Sequence, residues 1–145
     1  MPFSFLARCS PYLAREIDGA NDSTRRAIVL AVCKWAVEST IPTDPIANSS
    51  LDALAAGAYG DRQAIANFQK HVDDLDQVYF RAKEARRDYQ LLFAKARAAN
   101  SVVCALDPEP FRAAVGSLYE VCAGLGSAPV EAEVRRVFGL PAGDD

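Results

Sequence analysis

Apolar and polar positions follow a near-heptad spacing through the longest stretch of the chain without glycine or proline, which runs from Asp61 to Leu106. Apolar or small residues recur along it every few positions, at Ile65, Phe68, Val72, Leu75, Tyr79, Ala82, Tyr89, Phe93, Ala96 and Val103. This spacing places them on one side of an α-helix. The pattern therefore predicts helix throughout residues 61–106.

A single helix over these residues is too long for a chain of this size. Its 46 residues would span about 69 Å, whereas a compact chain of 145 residues has a diameter of about 40 Å. Because the apolar stripe weakens at residues 81–88 and again at residues 100–101, we expect a break that gives an antiparallel helical hairpin. The alternative is an unbroken helix that projects from the domain and pairs with a second copy of the chain.

Helix signals also precede this stretch. Residues 25–39 are apolar on nearly every side around Trp35, a pattern that is typical of a helix at the centre of a fold. The polar residues Asn21, Asp22 and Ser23 offer its N-cap. We therefore expect the helix that contains Trp35 to form the buried centre.

Proline directly after a capping residue marks two further helix starts. Ser10 is followed by Pro11, and Asp107 is followed by Pro108. Proline at the first helical position needs no hydrogen-bonded amide, and its fixed backbone angle suits the helix. Both pairs therefore predict the first turn of an α-helix.

Breakers define the remaining segments. Gly124 or Gly126 is expected to end the next-to-last helix, and Ser127 to cap the last one. Residues 40–50 contain two prolines, two serines and an asparagine, which predicts a loop. A short helix over residues 51–58 is expected to follow it.

Together these segments predict an all-α fold, an irregular or orthogonal bundle of about six helices with a long helix or helical hairpin over residues 61–106. A chain of this length forms one domain and buries enough surface to fold without metal or disulfide. We assign that domain to residues 1–142 and expect residues 143–145 to form a disordered tail.

The overall composition narrows the class of function. The formal net charge of −3 argues against a dedicated nucleic-acid binder, which usually carries a basic surplus. The cysteines are far apart in sequence and have apolar neighbours, so we expect buried, reduced thiols: Cys9, Cys33, Cys104 and Cys122.

Nothing in the sequence predicts insertion into a membrane. The start of the chain has no basic region followed by a long apolar run. The longest apolar block, residues 27–37, is interrupted by Lys34 and is shorter than the roughly 20 residues that a spanning helix needs. We therefore expect a cytoplasmic protein with no membrane partner.

The single histidine, His71, limits the chemistry that is available. Zinc sites with several histidines are excluded by count. A di-iron carboxylate site needs a glutamate three residues before a histidine, and Phe68 occupies that position. We expect His71 to face solvent or a binding partner.

Three carboxylates follow His71, at Asp73, Asp74 and Asp76. Two or three carboxylates on one helix are too few oxygen ligands for a complete cation site. A metal-dependent or hydrolytic enzyme centred on His71 and these aspartates stays open as an alternative, but no catalytic motif supports it. We expect no cofactor.

The acidic cluster has few basic neighbours on its own helix. Lys70 can reach Asp73 or Asp74, but Asp76 has Phe80 at the +4 position. Like charges without internal partners attract a basic protein and speed its association. An aromatic side chain beside them is a candidate hot spot.

A basic stretch follows the acidic one. Residues 81–97 contain six basic and two acidic residues, with Tyr89 and Phe93 between them. Basic groups with interleaved aromatics can bind nucleic acid, but both aromatics fit the core stripe and the chain as a whole is acidic. If the stretch folds back as a hairpin, the basic half neutralises the acidic half internally.

The predicted function is a non-enzymatic protein-binding domain, for instance an inhibitor such as an immunity protein or antitoxin that neutralises a bacterial toxin. This prediction is an analogy from size, charge and lack of catalytic motifs. The predicted contact residues are His71, Asp73, Asp74, Asp76 and Phe80, and the expected partner is a basic protein. A structural homodimer through the long helix is the remaining alternative.

Overall fold

Residues 2–138 form eight α-helices and no strand in the computed structural model, which describes this part of the chain. In chain order the helices are α1 (Pro2–Cys9), α2 (Pro11–Gly19), α3 (Asp22–Thr40), α4 (Pro45–Ala55), α5 (Arg62–Glu84), α6 (Gln90–Ala105), α7 (Pro110–Leu125) and α8 (Ser127–Phe138). The all-α class is confirmed. The predicted number of about six helices was too low, since residues 2–19 and 62–105 each form two. The predicted tail, and residues 139–142 of the predicted domain, lie outside the described residues.

Several predicted helix ends are formed as expected. The Ser10 hydroxyl accepts a hydrogen bond from the Leu13 amide at 3.1 Å, with Pro11 in the first turn of α2. The Asn21 side chain accepts one from the Thr24 amide at 2.8 Å and caps α3. Gly126, with φ of 91°, ends α7, so a residue with a Cβ atom would be strained there.

The loop predicted over residues 40–50 is present only at residues 41–44. The α4 helix begins at Pro45, and the Asp44 carboxylate accepts hydrogen bonds from the amides of Ile46 and Ala47. Asp44 and Pro45 thus form the same cap-plus-proline start as Ser10 and Pro11. The loop had been predicted because the segment contains many turn-forming residues, but the cap at Asp44 starts a helix despite them.

The α7 helix starts two residues later than predicted. Pro110 is its first residue, and the Glu109 carboxylate accepts hydrogen bonds from the amides of Phe111 and Arg112. Asp107 instead accepts one from the Glu109 amide at 2.9 Å. Two consecutive acidic residue and proline pairs were available, and the second one starts the helix.

The long stretch breaks once, between α5 and α6. Arg86 adopts a φ of 56°, and the amide of Arg87 donates to the carbonyl of Ala82 at 2.9 Å. This is the hydrogen bond that closes a Schellman-type helix end. The break predicted at residues 81–88 is therefore present, and the second one at residues 100–101 is not. There α6 continues, and the buried Ser101 hydroxyl donates to the carbonyl of Ala98.

The core lies between α3, α6 and α7. Most of the apolar residues of α3 are buried as predicted, but Leu30 and Trp35 are only partly buried at the rim of the core and Lys34 is exposed. The centre is therefore shared rather than formed by α3 alone. Small residues let α6 and α7 approach closely: a Cβ added at Gly116 would lie 3.3 Å from the Cβ of Cys104.

The α5 helix lies at the edge of the bundle. It packs mainly on α4 and α6, and only Val72 and Ala82 on it are fully buried. Most of its surface consequently faces solvent. The predicted contact residues are all on this helix.

Candidate functional site

Asp76 is neutralised within the protein. The Nη2 atom of Arg97, on α6, lies 2.7 Å from Oδ1 of Asp76, and its Nη1 atom lies 2.8 Å from Oε2 of Glu120 on α7. The three side chains are 16–25% exposed. Burial disfavours the guanidinium charge, but the Glu120 and Asp76 carboxylates outweigh it and raise the pKa of Arg97 above its usual range. Asp76 is therefore a structural residue that joins α5 to α6 and α7.

His71 also has a partner inside the protein. Its Nε2 atom lies 2.8 Å from Oδ2 of Asp44, and both side chains are mostly buried. Partial burial raises the pKa of Asp44, but hydrogen bonds from the Ala47 amide and from His71 outweigh it and hold that pKa below its usual value. His71 fastens α5 to the first turn of α4 rather than facing solvent.

Asp73 and Asp74 are exposed and point away from the bundle. The amide group of Gln69 donates to Asp73 at 3.1 Å. Among residues 2–138, neither carboxylate is in an ion pair, and the contact from Lys70 that the spacing allowed is not made. These two carboxylates are the part of the cluster that is open to a partner.

Phe80 is half-exposed, one turn or more beyond the acidic pair. The neighbouring Tyr79 packs inward, with its ring centroid 5.1 Å from that of Phe80 and 5.1 Å from that of Phe93. Tyr89 completes this aromatic group at 5.8 Å from Tyr79. The group fixes one side of the Phe80 ring and leaves the other to solvent.

The predicted site is thus divided by the fold. Asp73, Asp74 and Phe80 share the exposed surface of α5, whereas His71 and Asp76 are held by other helices. Sequence reasoning missed their partners, which are Asp44, Arg97 and Glu120. The hairpin offered one signal: positions 76 and 97 are equally far from the turn at residues 86–87, so fold-back places them opposite each other.

No group of three or more His, Cys, Asp or Glu side chains within residues 2–138 is arranged to hold a metal ion. The cysteines carry free thiols. Burial raises the pKa of Cys33, Cys104 and Cys122 to about 12, which keeps them protonated at neutral pH. Cys9 is exposed, so the prediction that all four are buried was wrong for this residue.

A cavity of about 310 Å³ opens between α1, α6 and α7. Its walls are mainly apolar, with Phe3, Phe111 and Val115 among them. The charged groups at its edge, Asp107 and Arg112, pair with each other through two hydrogen bonds of 2.6 and 2.9 Å. None of the predicted contact residues lines this cavity.

Two further findings bear on the class of protein. No helix within residues 2–138 has the length and apolar character needed to cross a bilayer. No protein-family model, curated protein sequence or solved structure matches this chain.

Proposed function

We propose that this protein is a non-enzymatic binding domain that recognises a basic protein through α5, for instance as an inhibitor of the immunity-protein or antitoxin kind that neutralises a bacterial toxin. The contact surface is the acidic face, defined as Asp73, Asp74 and Phe80. His71 and Asp76 support it from beneath by holding α5 in place.

The observation that carries this proposal is that Asp73 and Asp74 are exposed without an ion-pair partner among residues 2–138, while Asp76 is paired. Two exposed carboxylates without a neutralising cation attract a basic protein and speed its association. Arg97, the cation of the hairpin that pairs with the acidic cluster, contacts Asp76 instead.

Phe80 supplies the apolar part of the face. It lies seven residues after Asp73, which is two helical turns and therefore the same side of α5. Its ring is 50% exposed, and aromatic residues beside charges are enriched at the centre of protein interfaces. Val78, 46% exposed, extends the apolar surface toward the side of Asp74, four residues earlier.

The side chains that an acid–base or metal site would need form pairs with other residues of the protein. His71 pairs with Asp44, and Asp76 pairs with Arg97, so neither side chain is directed at a common point where a substrate atom would sit. Binding rather than chemistry is the use that the exposed groups support.

The proposal is tested with an affinity capture followed by kinetics. The full chain is used to capture partners from a native lysate, and the captured protein is purified and identified. Its binding is then measured for wild type, for Asp73→Lys with Asp74→Lys, and for a control, Asp18→Lys with Asp52→Lys. The control aspartates are exposed and form no ion pair within residues 2–138, and both variants change the net charge equally.

We expect the acidic-face variant to lower the association rate about tenfold or more at low salt and to weaken its salt dependence. The control should stay close to wild type. Phe80→Ala should mainly raise the dissociation rate, because it removes a buried contact. An unchanged rate for the acidic-face variant, or an equal loss in the control, would contradict the proposal.

A further inference from the structure

The far end of the α5–α6 hairpin, which we call the hairpin tip and define as residues 78–91, extends beyond the rest of the bundle. A Cβ atom at Gly124, near the end of α7, would lie 3.3 Å from the Cα of Ala94. Helix α7 therefore ends beside Ala94, and every residue from Lys83 to Leu91 is exposed. Within the tip, Ala82 is the one residue that is fully buried.

Apolar side chains are nevertheless exposed at the tip. Leu91 is 56% exposed, Val78 46% and Tyr89 36%. With the half-exposed Phe80 beside them, they make up four of the eight large apolar side chains that are exposed among the described residues. A cluster of this kind at one end of a molecule is typical of a binding surface.

The charge of the tip is opposite to that of the whole chain. Four basic residues stand against two acidic ones, which gives +2 in a chain of −3. All six are exposed, and none forms an ion pair within residues 2–138: Arg81, Lys83, Glu84, Arg86, Arg87 and Asp88. Lys83 lies over the Tyr79 and Tyr89 rings, 5.9 Å from each centroid, so the positive charge borders the aromatic group.

The backbone at the turn gives an independent observation. Arg86 is the one residue other than glycine with a positive φ among residues 2–138. An L-residue in this conformation costs about 1–2 kcal/mol, and glycine would avoid that cost. The turn displays a guanidinium group at the position where glycine would be more stable, and strain of this kind is often retained for function.

We infer that the hairpin tip is a docking site for an acidic protein segment that also carries apolar side chains. Its carboxylates would bind Arg86 and Arg87, because arginine forms paired hydrogen bonds with carboxylates. Its apolar side chains would cover Leu91 and Tyr89. This site shares Phe80 with the acidic face of the proposed function, but its charged contacts are other residues and its partner has the opposite charge.

The surroundings favour a protein segment over other anions. Asp73 and Asp74 lie on the same helix a few turns away, and they repel an extended polyanion such as nucleic acid. A bilayer surface would have to accept Glu84 and Asp88 at the very end of the tip. A short acidic segment can bind Arg86 and Arg87 without extending to Asp73 and Asp74.

The test uses the isotope-labelled full chain and a synthetic helical peptide with glutamates on one face and leucine and phenylalanine on the other. A matched peptide carries lysine in place of glutamate. Amide chemical-shift mapping locates the contact, and fluorescence anisotropy gives the Kd. The tip variant is Arg86→Glu with Arg87→Glu. The control is Arg15→Glu with Arg62→Glu, two exposed arginines that form no ion pair with any other described residue.

We expect shift changes confined to residues 78–91, and a Kd that rises about tenfold or more in the tip variant or with the lysine peptide. The control should bind as wild type does. Shift changes elsewhere, no binding at about 1 mM peptide, or an unaffected tip variant would overturn the inference. Binding to phosphatidylserine vesicles or to a single-stranded oligonucleotide without binding to the peptide would overturn it too. Since these variants keep Asp73 and Asp74, failure here leaves the proposed function standing.

Discussion

Gly124 lies so close to Arg97 that a Cβ atom at position 124 would be 2.9 Å from the Cβ of Arg97. The neighbour is not the flexible end of the arginine but the base of a side chain whose guanidinium group is held by both Asp76 and Glu120. The absence of a side chain at position 124 thus sets the distance between α6 and α7 where the ion-pair network crosses them.

Replacing this glycine should destabilise the protein although alanine is the better helix former. We expect Gly124→Ala to lower the free energy of unfolding by about 1–3 kcal/mol, because the overlap forces the two helices apart. Gly19→Ala is the control, since a Cβ atom there meets nothing within 4 Å, and it should be neutral or stabilising by up to about 1 kcal/mol. Urea unfolding of both variants decides the question, and equal stability of the two would contradict it.

Removing Arg97 should cost more than removing the whole network. In Arg97→Met the Asp76 and Glu120 carboxylates lose the ion-pair partner that they have among residues 2–138. We expect the free energy of unfolding to fall by about 2–3 kcal/mol, which is less than for a fully buried pair because these groups are partly exposed. The triple variant with Asp76→Asn and Glu120→Gln should recover part of that loss. Chemical unfolding is measured for the wild type, Arg97→Met, the double variant Asp76→Asn with Glu120→Gln, and the triple variant, and the four values give the coupling energy. If the stability changes of Arg97→Met and of the double variant simply add, the network is not a unit.

Arg86→Gly should stabilise the protein by about 0.5–1 kcal/mol, because glycine adopts a positive φ without steric strain. The neighbouring Arg87 does not have a positive φ, so Arg87→Gly should not stabilise. Thermal unfolding compares the two variants, which remove the same charge from adjacent positions. A gain in both would mean that charge rather than backbone strain is responsible.

Acid should remove the stability that Asp44 contributes. A carboxyl group whose pKa is lowered by folding stabilises the protein above its unfolded pKa, 3.8 for Asp44, and loses this contribution as the pH falls through the lower folded pKa. We expect Asp44→Asn, which keeps the helix cap, to be about 0.5–1 kcal/mol less stable than wild type at neutral pH. The difference should disappear as the pH falls below 3.8, and urea unfolding of the two proteins at several pH values measures it.

Local signals in the sequence were sufficient for most of the helices. Capping side chains at Ser10 and Asn21 act within three residues, so they operate whatever the rest of the fold does. The same kind of signal at Asp44 and Pro45 was overlooked because turn-forming residues surround it. A break was expected because a domain of this size cannot hold so long a helix, and the weakened apolar stripe placed it at residues 81–88.

Contacts between distant residues could not be predicted in the same way. The pairing of Asp76 with Arg97 depends on which residue forms the turn, and a shift of the turn by one residue would place a different side chain opposite Asp76. The pairing of His71 with Asp44 depends on how α4 lies against α5, which no local pattern determines. For this reason the acidic cluster was expected to form one surface, although the fold pairs one of its three carboxylates, Asp76, with Arg97.

The position of α5 at the edge of the bundle has a consequence for how the protein opens. With two fully buried residues and two side-chain links, at His71 and Asp76, this helix should open locally at a lower free energy than α3 or α7, which are held from several sides. Backbone amides of residues 78–90 should therefore exchange with deuterium far sooner than those of α7. Both proposed partners would slow that exchange, and the affinity that each shows would include the free energy of closing α5.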